Sequence, residues 1–116
     1  MALKFPDKDP DEILDYTVDW SRYLGDLTID TGGDAVVWKI KDADGVYQTI
    51  SGSDTVNGLT VNSTTNTTTT ATIVLDAGTA NTTYTLQCQV RTSVSSKTNA
   101  KITTAREVNL RVRERS

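Results

Sequence analysis

The densest set of side chains with chemical potential is the run DKDPDE, which places Asp7, Asp9, Asp11 and Glu12 within six residues. Carboxylates so close could hold calcium or share a proton. An EF-hand loop starting at Asp7 would need glycine at its sixth place and glutamate at its twelfth. Glu12 and Val18 stand there, so that motif fails. Acid–base and nucleophilic chemistry are no better served. The 116 residues include no histidine, the usual general base and metal ligand, and one cysteine, Cys88. Cys88 lies in YTLQCQV on the face of Tyr84, Leu86 and Val90, as a small buried hydrophobe does, rather than in the electropositive setting of a reactive thiol. These residues predict no enzyme, no metal and no cofactor. The acidic run reads as an exposed, extended arm over residues 1–12, stiffened by Pro6 and Pro10, that lies on a partner or in solvent.

Charge is unevenly spread. Residues 1–60 carry 12 acids and 5 bases, net −7; residues 61–116 carry 3 acids and 7 bases, net +4; the sum is −3. In RVRER, Arg111, Arg113 and Arg115 share one strand face. A small basic face without interleaved aromatics, in an acidic chain, does not suit nucleic acid. It suits solvent, or contact between the acidic front of one copy and the basic tail of a neighbour or partner. Tyr16, Trp20, Tyr23 and Tyr47 could form a sugar-binding platform. Tyr16 and Trp20, however, share the apolar parity of Leu14 and Val18 and are expected in the core, which leaves Tyr23 and Tyr47.

The elements that would position these residues are extended. LDYTVDW (14–20) alternates apolar and polar positions, the period of a half-buried strand. LTI at 27–29 reads as a short further piece and DTGGD (30–34) as a turn. AVVWKIK (35–41) and VYQTI (46–50) flank Asp44-Gly45, a signal for a type I′ hairpin, and Asn57-Gly58 marks another turn before LTV. TATIVL from Thr70, YTLQCQV from Tyr84, and REVNLRVR from Arg106 complete the set, with SVSSKTN (93–99) turning the chain between the last two. Threonine is β-branched and suits the polar face of a strand. Only NSTTNTT (62–68) lacks a pattern and reads as a mobile loop, although loop and strand both stay open for the Thr-rich residues 62–70.

The three Asn-X-Ser/Thr triplets at Asn62, Asn66 and Asn81 carry little weight as glycosylation sites. Six asparagines in a chain with 29 Ser plus Thr yield about one or two by chance. The N-terminus turns acidic without an apolar segment, unlike a secretory signal. One cysteine makes no internal disulfide, and no apolar run approaches the roughly 20 residues of a membrane span. These features suit folding in a reducing cytoplasm, with no membrane partner.

Seven or eight short strands separated by turn signals indicate an all-β chain, an antiparallel β-sandwich of immunoglobulin-like or fibronectin-like type, with one domain over 13–116. Gly78-Thr79 ahead of Tyr84 suggests a tyrosine corner, and Trp38 is the expected central core aromatic of a facing strand.

Two segments, KDPDEILDYTVDWSRYLG (8–25) and TYTLQCQVRTSVSSKTNAKITTAREVNLRVRE (83–114), resemble a family of small tailed-phage fiber–tail adaptors. In that family a lysine and Asp-Pro-Asp-Glu lead into a strand ending in Trp-Ser, and Thr-Tyr-Thr-Leu and Leu-Arg-Val-Arg-Glu strands close the domain. Here these fall at Asp9–Glu12, Trp20-Ser21, Thr83–Leu86 and Leu110–Glu114. The resemblance implies an immunoglobulin-like structural protein of the virion tail or neck that joins fibers to the tail. Its partners would be a tail adaptor or nozzle ring and the tail fiber, met by multiple symmetric copies. Asp9, Asp11, Glu12, Arg111, Arg113 and Arg115 are the interface candidates. A carbohydrate-binding sandwich and a capsid decoration protein are the alternatives.

Overall fold

The computed structural model describes residues 3–30, 35–93 and 100–113, and in it the alternating segments become two facing sheets. In chain order the elements are β1 (Leu3–Lys4), β2 (Leu14–Asp19), α1 (Ser21–Leu24), β3 (Val36–Lys41), β4 (Tyr47–Ile50), β5 (Thr55–Val56), β6 (Leu59–Asn66), β7 (Thr70–Ala77), β8 (Thr82–Arg91) and β9 (Thr103–Val112). One sheet runs β1-β9-β8-β3-β4 and the other β2-β7-β6-β5. Every pairing is antiparallel except β1 with β9, which is parallel. The neighbour orders β9-β8-β3 and β2-β7-β6 match the G-F-C and B-E-D layers of an immunoglobulin-like sandwich.

Period-two patterning builds the core. Tyr84, Leu86, Cys88 and Val90 of β8 face Ala71, Ile73 and Leu75 of β7, and all are buried. Trp38 of β3 pairs in register with Cys88 and is 2 % exposed, as its place in AVVWKIK predicts. Tyr16, Val18 and Trp20 fill the layer from the β2 side. Each large side chain so buried contributes about 1.5–3 kcal/mol. The tyrosine corner is present: Tyr84 Oη accepts from the Thr79 N–H at 2.9 Å and donates to the Asn57 carbonyl at 2.7 Å.

Four local expectations are corrected. Residues 62–66 of the expected loop are strand: β6 pairs with β7 through Asn66, with a register shift between Val61 and Ser63. Threonine hydroxyls bond across the sheet, Thr17 to Thr72 at 2.8 Å and Thr55 to Thr60 at 2.9 Å. They work as strand surface, and pairing with β7 replaces the missing hydrophobic signal. The hairpin at Asp44-Gly45 is not type I′. Only Gly45 has positive φ (83°), and its N–H bonds to the Asp42 carbonyl, the pattern of a type I turn closed by a left-handed glycine. The type I′ turn occurs at Asn57-Gly58 instead, where both φ values are positive. LTI is no strand; Ile29 makes a single bridge to Thr92.

The fourth correction concerns the N-terminal segment, which is extended but only partly exposed: Phe5 and Lys8 are buried, while Pro6 and Asp11 are exposed. Its backbone follows β9, with Phe5 N–H to Asn109 O at 2.9 Å and Lys8 N–H to Arg111 O at 3.0 Å. Phe5 is buried and stacks on Tyr16 at 4.6 Å, closing the gap between the β9 edge and the β2 edge. The DTGGD turn from Thr31, the SVSSKTN turn from Val94, and Arg115 lie outside the described residues.

Candidate functional site

The Asp-Pro-Asp-Glu stretch closes on itself. Glu12 N–H donates to the Asp9 carbonyl at 3.0 Å, and Asp9 N–H donates to Glu12 Oε1 at 2.8 Å. Asp11 N–H donates to Asp9 Oδ1 at 2.9 Å, an Asx turn around Pro10. The acids of Asp9 and Glu12 therefore serve the backbone of their own turn, while Asp11 is exposed. Among the described residues, no three of His, Cys, Asp and Glu are placed to share a metal ion.

Lys8 fixes this turn to both layers of the sandwich. Its backbone lies in the first sheet, where Arg113 N–H donates to the Lys8 carbonyl at 2.8 Å. Its side chain, fully buried, crosses to the second sheet and donates through Nζ to the Ala77 carbonyl at 2.6 Å and the Asp9 carbonyl at 2.9 Å. Burial lowers the ammonium pKa below its ordinary 10.5, and the carboxylates of Asp76, Asp9 and Asp11 act in the opposite direction. The lysine of the Lys-Asp-Pro-Asp-Glu motif is thus structural. Sequence reasoning placed no role on Lys8 or Phe5, because the only signal, apolar residues at 3 and 5, is too short to register as a strand.

The basic strand end lies beside the same turn. Arg111 and Arg113 are both exposed. Arg111 reaches Thr83 Oγ1 at 3.5 Å, and Arg113 pairs with Asp7 at 3.6 Å. The acidic front and basic tail, remote in sequence, meet within one chain. Five of the six candidate interface residues are therefore brought to one end of the sandwich; Arg115 is the sixth.

The two tyrosines proposed as a platform do not form one. Tyr47 lies on the outer face of its sheet, where its hydroxyl donates to Glu107 at 3.1 Å; burial and this contact raise its pKa. Tyr23, on α1, makes an edge contact with Trp20 at 5.9 Å and lies beside Arg106. Adjacent strand residues point to opposite faces, so Glu107 and Arg106 place the two rings on opposite sides of β9. Cys88 is fully buried, and burial pushes its thiol up to about 12, so it is no nucleophile at neutral pH.

What this arrangement can do chemically is present a rigid, mixed-charge surface. A family model described as podophage GP4 fiber-tail adaptor protein gp77 matches residues 8–107, from the buried lysine through the first half of β9. No curated protein and no solved structure matches the chain.

Proposed function

From the premise that this chain belongs to the podophage GP4 fiber-tail adaptor family, we infer that it works by docking alone, without catalysis. It is a structural tail adaptor of the virion and associates with other phage tail proteins such as fibers. The docking surface proposed is the charged end of the sandwich, where Asp11, Arg111 and Arg113 are exposed around the turn that Asp9 and Glu12 hold together, with Arg115 following. A tail adaptor or nozzle ring is the proposed receptor, engaged by multiple symmetric copies that fold in the host cytoplasm before assembly. Nucleic acid and membrane are no part of this reading.

One observation carries it: Lys8 ties the acidic turn to β7 and β9 at once, so the surface is organised before any partner arrives. Preorganisation lowers the ordering cost that otherwise offsets interface contacts. The test is the copy number of the protein in purified particles, by mass spectrometry, for the wild type and for Asp11→Lys combined with Arg113→Glu. The reading expects the double variant to be folded and largely missing from particles. Full incorporation would overturn it.

A further inference from the structure

Arg106 occupies a position whose register partner is the fully buried Cys88. A guanidinium cannot remain in that apolar layer, and it leaves along the aromatic edge of the core. Its central carbon lies 5.4 Å from the Trp20 ring and 5.9 Å from the Tyr23 ring. Trp20 is buried and its backbone N–H is anchored to the Thr69 carbonyl at 2.8 Å, so the seat is firm. Tyr23 is 45 % exposed and forms the outer wall. A cation–π contact leaves the guanidinium's in-plane N–H donors unused, and these match a carboxylate in two-point geometry. The Arg106 side chain is exposed and makes no hydrogen bond or ion pair with any described residue.

A second feature adjoins it. β1 meets β9 at Val108 and Asn109, so among the described residues no strand pairs with Thr103–Arg106 on that side. Unpaired strand edges accept extended segments through backbone hydrogen bonds. An oriented arginine beside an open edge is a receptor of defined chemistry. We propose that Arg106, on its Trp20–Tyr23 seat, and the edge of β9 from Thr103 to Arg106, unpaired among the described residues, dock an extended, carboxylate-bearing segment of another tail protein.

This rests on the adaptor reading and extends it. An adaptor joins two partners and needs two surfaces, and a single ten-residue strand supplies both. Arg111 and Arg113 close one end of β9 at the acidic turn, and Arg106 stands toward the other. Arg106 and Arg111 both lie on β9, where about 3.3 Å of rise per residue sets them roughly 17 Å apart. A nucleic-acid phosphate would meet the same donors, but a net charge of −3 opposes it.

The experiment adds purified protein to particles assembled without it, and separately to purified tail fibers, and measures the bound fraction. Arg106→Ala is expected to weaken one of the two interactions at least tenfold with an unchanged melting temperature. Arg106→Lys, which keeps charge and stem but loses the planar fork, is expected to weaken the same interaction several-fold. Arg106→Ala and Arg106→Lys proteins that bind both targets like the wild type would overturn the proposal. So would Arg106-dependent retention of a DNA fragment in place of either target. A wild-type protein that binds neither particles nor fibers would instead overturn the adaptor reading itself.

Discussion

Tyr84 and Asn57, 27 residues apart, are joined by a 2.7 Å hydrogen bond from the tyrosine hydroxyl to the asparagine carbonyl. The same oxygen accepts from Thr79 at 2.9 Å, so one buried side chain ties the β5–β6 turn to the β7–β8 connection. Tyr84→Phe keeps the ring and strands both backbone groups. A loss of about 1–3 kcal/mol is expected, seen as a lower urea midpoint with an unchanged slope. Equal midpoints would show that the bond contributes nothing net. Gly58 belongs to the same corner. Its φ is +87°, and a Cβ there would meet Thr79 Oγ1 at 2.7 Å, so Gly58→Ala is expected to destabilise as well.

Phe5 stacks on Tyr16, and the segment carrying it forms an outer strand beside β9. Phe5→Ala is therefore expected to cost about 3 kcal/mol, a core-sized penalty from a residue near the N-terminus. Thermal unfolding of the purified variant checks this. A change under about 0.5 kcal/mol would mean the segment does not belong to the cooperative core. Deleting residues 1–12 would accordingly disturb stability as well as any docking.

Arg113 is 56 % exposed and its partner Asp7 lies at 3.6 Å. A pair so solvated contributes about 0–1 kcal/mol. Arg113→Glu should leave the denaturation midpoint almost unmoved while lowering incorporation into particles several-fold. A fall in stability that matches the fall in incorporation would reduce Arg113 to a structural role.

Cys88 links stability to alkaline pH. Its thiol pKa is raised by burial from 9.0 to about 12 in the fold. The folded protein keeps a proton that the unfolded chain loses above pH 9. That contribution is complete below pH 9 and declines as pH rises toward 12, by about 1.4 kcal/mol per unit. Comparing wild type with Cys88→Ala isolates it, since Lys8 and Tyr16 titrate in both. The wild-type advantage should shrink across pH 9–12, and a constant difference would refute the assignment. The native thiol should also resist a disulfide reagent at pH 8 until the protein is unfolded.

The repeat of apolar residues at every second position determined most of this architecture without reference to contacts. Leu14 to Trp20, Val36 to Lys41, Ala71 to Leu75, Tyr84 to Val90 and Val108 to Val112 each carry their own inward face, because side-chain direction in a strand follows from local geometry. Tyr84, Trp38 and Cys88 could be placed in the core for the same reason. What tertiary structure alone decided was pairing. Asn62–Asn66 is strand because β7 supplies partners for its backbone, not because its residues alternate. Leu3–Lys4 lies on Val108–Asn109, and Asp7 meets Arg113, across more than a hundred residues. The Arg106 guanidinium lies over the Trp20 ring although Arg106 follows the parity of the core. A hydrogen bond or an ion pair depends on which distant groups the folded chain brings within about 3 Å, and that information resides in no single segment.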